Sequence, residues 1–598
     1  MASAPTPSST GAARYMNIPG QTLYSAHTIS SAPQAMTGGP GGMGLPLNIV
    51  SLIIAQIDNL GDVSRLCRTS RLLYYMALPK LYENVTLRSY TEVRRVNGRV
   101  EGLGGGSPIC TALGALATSQ AASVVKHLLV QGSWKETDEY MLGRIPDATV
   151  LLSIAVRAAI DKMVNMHSFS WTLDTKPLRS IYQGLTLRPS LTSFTLEFPS
   201  SRTPRPVLLV PPIPSLKSFT VRNLDPLCYN DDVSHLIYGS RNLVDLTIHF
   251  SPRMRLEAEC SASLSTYFGR CIQAGYKIPI QKIMMQNFYG PNRGQLYQAM
   301  MQETMVSSHF LDMFGGAHGP RTNVFIDETW RRIPPVLHFN WKIHRSNELA
   351  MQHTRILRGF HGLEELYLVS RSLQTISSPP PAQIDSPTSP LNPLAPPTGS
   401  KTSSPTPTHH SSSSPSAPSP SSAPAMDPSF LPGAEVDALG AEYLDAILSS
   451  HGTTLHTLLL FDKFGLDESQ IADMAARAPH VRHLGVALQG KEGVFRKLIP
   501  SFPNLRSLRI LENDLIRRLG VFEEENLAEV CKEFGRQVVR CGNEGLRWIG
   551  IGELVFKVGR REEFEVSKGG REVRAVLERR TWGDVEGLGL WDMDKLEL

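Results

Sequence analysis

Residues whose types and spacing could support catalysis or ligand binding are few in this sequence. The glycine-rich stretch EGLGGGSP at 101–108 lacks the Gly-Lys-Ser/Thr that completes a phosphate-binding loop, so we interpret it as a linker. The stretch GGAHGP at 315–320 is typical of a turn, and His409 and His410 lie in a Ser/Pro-rich tract without fixed metal geometry. The sequence contains no H-E-x-x-H, no G-x-S-x-G and no carboxylate pairs at fixed spacing. We therefore expect a protein that is not an enzyme, with no catalytic residue, no cofactor and no metal site.

Cysteine usage and apolar runs indicate the compartment. The seven cysteines are scattered and form no C-x-x-C pair, which is typical of buried thiols in a reducing environment. The apolar runs are much shorter than the roughly 18 residues of a membrane span, and the N-terminus lacks the apolar core of a secretory signal. We predict a location in the cytoplasm and/or nucleus, with no membrane partner.

Charge gives no sign of a nucleic-acid partner. The net charge is +5 over 598 residues. The stretch 559–580 interleaves Glu with Arg and Lys, which favours a solvated, salt-bridged face over a phosphate-binding stripe. We predict that the protein does not bind nucleic acid.

Two stretches have the composition of disordered chain. Residues 1–43 are small, polar and rich in Pro and Gly, and residues 377–428 include 15 prolines among 52 residues. The second tract divides the folded part of the chain and contains several Ser/Thr-Pro steps. These steps are candidate phosphorylation sites, or they follow from the composition alone.

A permissive L-x-x-L-x-L template recurs through the rest of the chain and predicts its fold. Six of its successive spacings are 24–27 residues, inside the range of leucine-rich repeats, and helix-like stretches lie between the matches. We predict an α/β leucine-rich-repeat solenoid with parallel strands and outer helices over 100–376 and 429–598, the second part including a C-terminal cap. The alternative is an ordinary α/β sheet. The template matches begin at Val125, Met166, Leu191, Leu216, Leu243, Ile280, Val336, Leu363, Leu455, Val481, Leu505, Leu546 and Val585.

The template also predicts which side chains are free to bind a partner. Its first, fourth and sixth residues face the core, and its third and fifth face the concave sheet that solenoids use for binding. Large aromatic and Arg side chains dominate interface energetics, so we predict substrate binding by Tyr367, Arg509 and Trp548. Their neighbours Leu366, Leu508 and Ile549 are predicted to point into the core.

Residues 44–88 predict a small helical domain ahead of the array. Leu45-Pro46 starts a first helix, Gly61-Asp62 separates it from a second, and a third runs from Ser70 until Pro79 ends it. Three short helices make a very small core, and such a unit usually leans on a neighbour or a partner.

This segment resembles an F-box. The resemblance rests on Leu45-Pro46, the aliphatic residues that follow them, Asp62-Val63, Ser70-Arg71 and the ending ALPKLYENVTL, which is similar to that of fungal F-box proteins. Many F-boxes have Trp two residues after Ser-Arg, where this sequence has Leu73.

The resemblance implies a role in ubiquitin ligation. F-box proteins are substrate receptors of Skp1–cullin–F-box ligases, so the helical domain is expected to bind a Skp1-like adaptor, and through it a cullin, while the array binds a protein substrate. The alternative is a leucine-rich-repeat interaction scaffold without a ubiquitin role. The residues expected to contact Skp1 are Leu45, Pro46, Ile49, Ile53, Leu66 and Leu73.

Overall fold

The structure is a computed structural model, and it describes twelve ranges of the chain. These are residues 45–100, 105–134, 147–200, 207–229, 231–253, 263–288, 295–313, 339–347, 349–370, 433–490, 492–566 and 570–595. The predicted disordered stretches 1–43 and 377–428, and the turn at 315–320, lie outside them.

The helices belong to two compact units. The first unit contains α1 (Leu47–Ala55), α2 (Leu60–Cys67), α3 (Arg71–Tyr82), α4 (Ser107–Thr118), α5 (Asp147–Lys162), α6 (Arg179–Thr186), α7 (Ser234–Gly239), α8 (Leu264–Gln273) and α9 (Gln295–Ala299). The second unit contains α10 (Met351–Arg358), α11 (Gly433–His451), α12 (Glu468–Arg477), α13 (Phe495–Ser501), α14 (Asp514–Arg518), α15 (Glu524–Arg540) and α16 (Gly589–Asp592).

The strands alternate with these helices. Those of the first unit are β1 (Asn84–Ser89), β2 (Arg95–Val96), β3 (Arg99–Val100), β4 (His127–Gly132), β5 (Ser168–Leu173), β6 (Ser193–Glu197), β7 (Ser218–Leu224), β8 (Asp245–Phe250) and β9 (Lys282–Gln286). Those of the second unit are β10 (Ser307–Leu311), β11 (Ile343–Ser346), β12 (Glu365–Leu368), β13 (Thr457–Leu459), β14 (Gly465–Leu466), β15 (His483–Leu488), β16 (Ser507–Ile510), β17 (Trp548–Ile551), β18 (Leu554–Val566) and β19 (Gly570–Arg580).

Each unit is α/β with a mostly parallel sheet in which a strand pairs with the next repeat strand along the chain. In the first unit β1, β4, β5, β6, β7 and β8 pair in parallel in that order, and β9 follows β8. In the second unit β10, β11, β12, β13, β15, β16 and β17 do the same. This sequential pairing is compatible with a solenoid-like α/β fold.

The template predicts most strand positions, because each matched strand begins two residues after the first residue of its match, except at Val336 and Val585. Leu191 and Leu216, for example, precede β6 and β7 and are fully buried. On the inward face Phe169, Phe194 and Phe219 lie in register on neighbouring strands, with ring centroids 5.9 Å and 5.5 Å apart. Strands β5, β6 and β7 therefore bury one continuous row of aromatic side chains at this register position.

Two template matches are wrong. The match at Val336 does not form a strand at its described residues, and the strand that follows it is β11. The match at Val585 lies at the end of a 3₁₀ turn, Trp582–Val585, because β18 and β19 already end the sheet as an antiparallel hairpin. The interleaved charges of 559–566 and 570–580 belong to this hairpin, where, for example, Arg571 pairs with Glu563 at 3.6 Å.

Helices α1 to α3 form the small unit that the sequence predicts, with different ends. Asn59 caps α2 by accepting the Gly61 amide at 2.7 Å, and Ser70 caps α3 by accepting the Leu73 amide at 3.1 Å. Pro79 lies inside α3, so the prediction that it ends the helix is wrong. Residues 84–88 belong to β1, which pairs with β4, and Ser107 begins α4, so the predicted domain end and linker overlap the sheet and its first helix.

A buried relay of polar side chains crosses the core of the second unit. Ser308 Oγ lies 2.8 Å from His344 Nδ1, His344 Nε2 lies 2.8 Å from His353 Nε2, and Tyr443 Oη lies 2.9 Å from His353 Nδ1. All four side chains are fully buried. A neutral imidazole has one donor and one acceptor. Every hydrogen bond of the relay can therefore form whether the protons are donated from Ser308 towards Tyr443 or in the opposite direction. A charge on either ring breaks this pattern.

Burial also keeps both imidazoles neutral. It lowers the pKa of His344 to about 3 and holds the pKa of His353 far below its ordinary value. In the unfolded chain these two histidines bind protons near pH 6.5, whereas in the folded chain they stay neutral at that pH. Their contribution to the unfolding free energy is therefore complete above pH 6.5 and is lost as the pH falls.

We predict that this relay makes the second unit acid-sensitive. Between pH 7 and pH 5 the wild type should lose about 2 kcal/mol more unfolding free energy than His353→Gln, because one buried titration is removed. Denaturant unfolding at both pH values measures the difference. His480→Gln, at an exposed histidine, should behave as the wild type does; an equal pH dependence in all three proteins would contradict the prediction.

We also predict a cavity effect at the inward face. Leu508 is fully buried, so Leu508→Ala should cost about 2–5 kcal/mol of unfolding free energy. Met351→Ala, at a side chain 47% exposed, should cost much less. Equal denaturant midpoints for the two variants would show that the inward register is wrong.

Candidate functional site

One register position of the second sheet brings together side chains from six strands. Its members pair in sequence across β11, β12, β13, β15, β16 and β17, and we call them the central row. They are Arg345, Tyr367, Leu459, Gly485, Arg509 and Gly550. Since alternate residues of a strand point to opposite faces, this row faces away from Leu366, Leu508 and Ile549, which are fully buried in the core.

Residues 581–595 lie across the central row, and we call them the covering segment. It begins as a 3₁₀ turn capped reciprocally by Thr581 and Asp584, and it ends with the short helix α16. Its side chains Val585, Leu590 and Trp591 share one buried cluster with Tyr367 and Leu459 of the row. The face that the sequence predicts to be open is therefore covered by the chain itself.

Two arginines of the central row hold the covering segment through polar contacts. Arg509 Nη1 donates to the backbone carbonyl of Leu590 at 2.7 Å, and its Nη2 lies 2.8 Å from Asp594 Oδ2. Arg345 donates to the backbone carbonyl of Lys595. The Arg509–Asp594 pair is completely removed from solvent, with both side chains 0% exposed.

Burial makes this ion pair expensive for both partners. It raises the pKa of Asp594 to about 6, against the opposing charge of Arg509, and it lowers the pKa of Arg509. Arg345 is buried as well, and its pKa falls to about 10. A buried pair of this kind adds little net stability while intact, but losing one partner leaves an uncompensated charge that costs ~3–5 kcal/mol.

Glycines shape the contact between the two elements. A Cβ on Gly550 would lie 3.1 Å from the Trp591 ring, and one on Gly485 would lie 3.5 Å from Leu590. A Cβ on Gly589 of the covering segment would lie 2.2 Å from Tyr367 Oη, which is fixed by a 2.7 Å hydrogen bond to Glu365. The central row thus forms a surface against which Leu590 and Trp591 pack closely.

The predicted substrate-binding residues lie on the predicted face but are not open to solvent. Tyr367 and Arg509 belong to the central row and are 1% and 0% exposed. Trp548, two residues before Gly550 on β17, is half-buried and packs against the same cluster. The expectation that this face is free is wrong, because the covering segment occupies it.

The predicted adaptor-binding residues divide into two groups. Leu45, Pro46, Ile49 and Ile53 are exposed at the start of α1 and along it. Leu66 and Leu73 are half-buried instead, because they pack against Ile54, Val63 and Ala77 in the buried cluster of the helical unit. The first group is available to a partner, whereas the second supports the unit from within.

Sequence reasoning missed Arg345, Trp591 and Asp594. Arg345 escaped because the template places a strand at Val336 rather than at β11, and Trp591 and Asp594 escaped because 585–590 matches a strand pattern. No local signal separates this segment from a strand, because the alternation WDMD at 591–594 is itself typical of one. Among the described residues, no group of three His, Cys, Asp or Glu side chains could hold a metal ion, and no helix is long and apolar enough to cross a membrane.

We predict that a methyl group at position 589 displaces the covering segment. Gly589→Ala should weaken its contact by ~1–3 kcal/mol, because the new Cβ meets a fixed phenol oxygen. Amide hydrogen exchange of Trp591 should then be about 10-fold faster or more.

Two variants control this prediction. Gly583→Ala should leave exchange unchanged, since its Cβ would lie 3.7 Å from the nearest atom, Thr581 Oγ1. Combining Gly589→Ala with Tyr367→Phe should restore part of the protection relative to Gly589→Ala alone. Unchanged exchange in Gly589→Ala would contradict the described packing.

Comparison with family models and curated proteins identifies no relative of the chain. No protein-family model matches the chain, and a search of curated proteins finds no match. The function is therefore inferred from the two surfaces themselves, the exposed apolar face of α1 and the covered central row.

Proposed function

We propose that the protein is the substrate-recognition subunit of a Skp1–cullin–F-box ubiquitin ligase. In this proposal helices α1 to α3 act as an F-box that binds a Skp1-like adaptor, and the strand array is a degenerate leucine-rich-repeat solenoid that binds the substrate. The protein itself carries out no catalysis; it raises the effective concentration of substrate beside the catalytic subunits.

The observation that carries the proposal is an apolar face left open on α1. Ile49, Leu52 and Ile53 follow one another at helical i, i+3 and i+4 spacing and are 38%, 62% and 49% exposed. Leu45, two residues before α1, and Leu60, the first residue of α2, are 52% and 51% exposed. Contiguous apolar surface of this kind marks a protein interaction site.

The interior of the same unit is too small to explain these residues as spare core. Its buried cluster consists of Ile54, Val63 and Ala77, and further apolar side chains pack around it only partly buried. A unit with so little core gains stability by burying its outer face on a partner. This physical requirement matches what the F-box resemblance of residues 45–85 implies.

The proposed test places charges on the open face. Leu52→Asp together with Ile53→Asp should abolish capture of a Skp1-like adaptor in a pull-down with the full chain, because the buried carboxylates would have no partner in the interface. Neither residue belongs to the internal cluster, so circular dichroism should remain that of the wild type. A change at Leu66 would be a poorer test, since that side chain packs in the internal cluster.

A matched control exists on α5. Leu151 and Ile154 are 66% and 57% exposed, so Leu151→Asp with Ile154→Asp makes the same change in charge and apolar area elsewhere. This control should retain adaptor capture. If the α1 variant captures the adaptor as well as the wild type, the chain is instead an interaction scaffold without a ubiquitin role.

A further inference from the structure

The covering segment has the properties of a ligand bound to the central row. It lies on a face whose register position contains two arginines, an aromatic ring and two glycines, and arginines and aromatic side chains are the groups that dominate recognition surfaces. Both arginines donate to backbone carbonyls of the segment, at Leu590 and Lys595, a contact that any peptide can make. The sequence-specific contacts come from Trp591, Leu590 and Asp594.

The charges of the two partners are complementary. The covering segment contains four acidic residues and one lysine, and the central row contains Arg345 and Arg509. Asp594 meets Arg509 directly, at 2.8 Å. Charge complementarity of this kind sets specificity and register more than it adds affinity.

The segment is also imperfectly satisfied as part of a core. The Trp591 indole N–H is buried and has no hydrogen-bond partner among the described residues. A buried ion pair and an unpaired indole are costs that apolar side chains of similar size would avoid. These costs lower the free energy that an external ligand must supply to replace the segment.

We propose that the central row is a peptide-binding surface and that the covering segment is its built-in competitor. The partner is a protein segment with an apolar-aromatic pair followed by a carboxylate three residues after the aromatic ring, as in Leu590, Trp591 and Asp594. It displaces the covering segment and takes its place. The identification of this partner as the substrate rests on the proposed function. The binding surface and the chemistry of its ligand are inferred independently of that function.

The experiment cuts the covalent link and measures exchange. A recognition sequence for a site-specific protease is inserted after Arg580 in the full chain, between β19 and the covering segment. The probe is a fluorescein-labelled peptide with the sequence of residues 581–595. Before cleavage the tethered segment competes at high effective concentration, so the peptide should bind weakly; after cleavage it should bind at least ~10-fold more tightly by fluorescence anisotropy.

Peptide variants test the chemistry without altering the folded chain. Peptides carrying Trp591→Ala or Asp594→Asn should each bind the cleaved chain ~10-fold more weakly or worse, because they lose the aromatic or the charged contact. A peptide carrying Glu586→Gln has the same change in charge as Asp594→Asn, but at an exposed position, and should bind like the parent peptide.

The outcomes separate this inference from the proposed function. A cleaved chain that exchanges no peptide, or one that loses its circular dichroism when the segment leaves, shows that residues 581–595 are a permanent part of the core and overturns the inference. Equal binding of all four peptides overturns the stated ligand chemistry. Adaptor capture is measured on the same samples. If peptide exchange fails but the adaptor is still captured, only the inference is overturned. If the peptides exchange as expected but the adaptor is not captured, only the proposed function is overturned.

Discussion

Burial of both faces of the second sheet is the constraint on which its other features depend. The inward face packs Leu366, Leu458, Leu484 and Leu508 side by side in register, which any repeating α/β array must do. The opposite face, however, is also removed from water, since residues 581–595 lie on it. Every polar group in the central row therefore has to find a partner within the chain, and Arg509 finds one 85 residues away at Asp594.

The same constraint explains the polar relay on the inward face. Ser308 and His344 lie in register with Leu366, so they occupy positions where the repeat calls for apolar side chains. They are tolerated because each satisfies the other, and because His353 and Tyr443 from the helices α10 and α11 complete the chain. The relay ties the strands to the helices by specific hydrogen bonds, where the neighbouring repeats rely on less directional apolar packing.

These exceptions also mark the limit of what the sequence can predict. Most strands follow the template because their pattern is local: an apolar residue, then a strand two residues later, as at Leu243 and β8. Strands β10 and β11 escape it because Ser308 and His344 are polar at the inward position. Strand β1 matches the template from Tyr82. Because that stretch also belongs to the F-box resemblance, it is assigned from the sequence to the helical domain and not to the sheet.

The candidate site was predictable in register but not in accessibility. Alternation along a strand is enough to place Tyr367 and Arg509 on the face opposite Leu366 and Leu508. Whether that face meets water depends on contacts such as Arg509 to Leu590, which join residues 81 positions apart and have no signature in local periodicity. Asn513 shows the contrast, since its side chain donates to Leu488 O at 2.7 Å, only 25 positions away along the chain.

Under the two proposals, the surfaces differ in how a partner would reach them. The face of α1 is exposed as the chain folds, so its association involves desolvation of Leu52 and Ile53 and no internal rearrangement. A ligand of the central row binds only the fraction of molecules in which the covering segment has left, so its apparent affinity is reduced by that fraction. Its association rate is limited in the same way, because opening must break the Arg509–Asp594 pair in a medium where each charge alone is unfavourable. The covered row therefore favours selectivity over affinity. A ligand that supplies both an aromatic ring and a carboxylate replaces the contacts that are lost when the covering segment leaves. A ligand without the carboxylate leaves an arginine unpaired, and one without the ring leaves the surface beside the glycines unfilled.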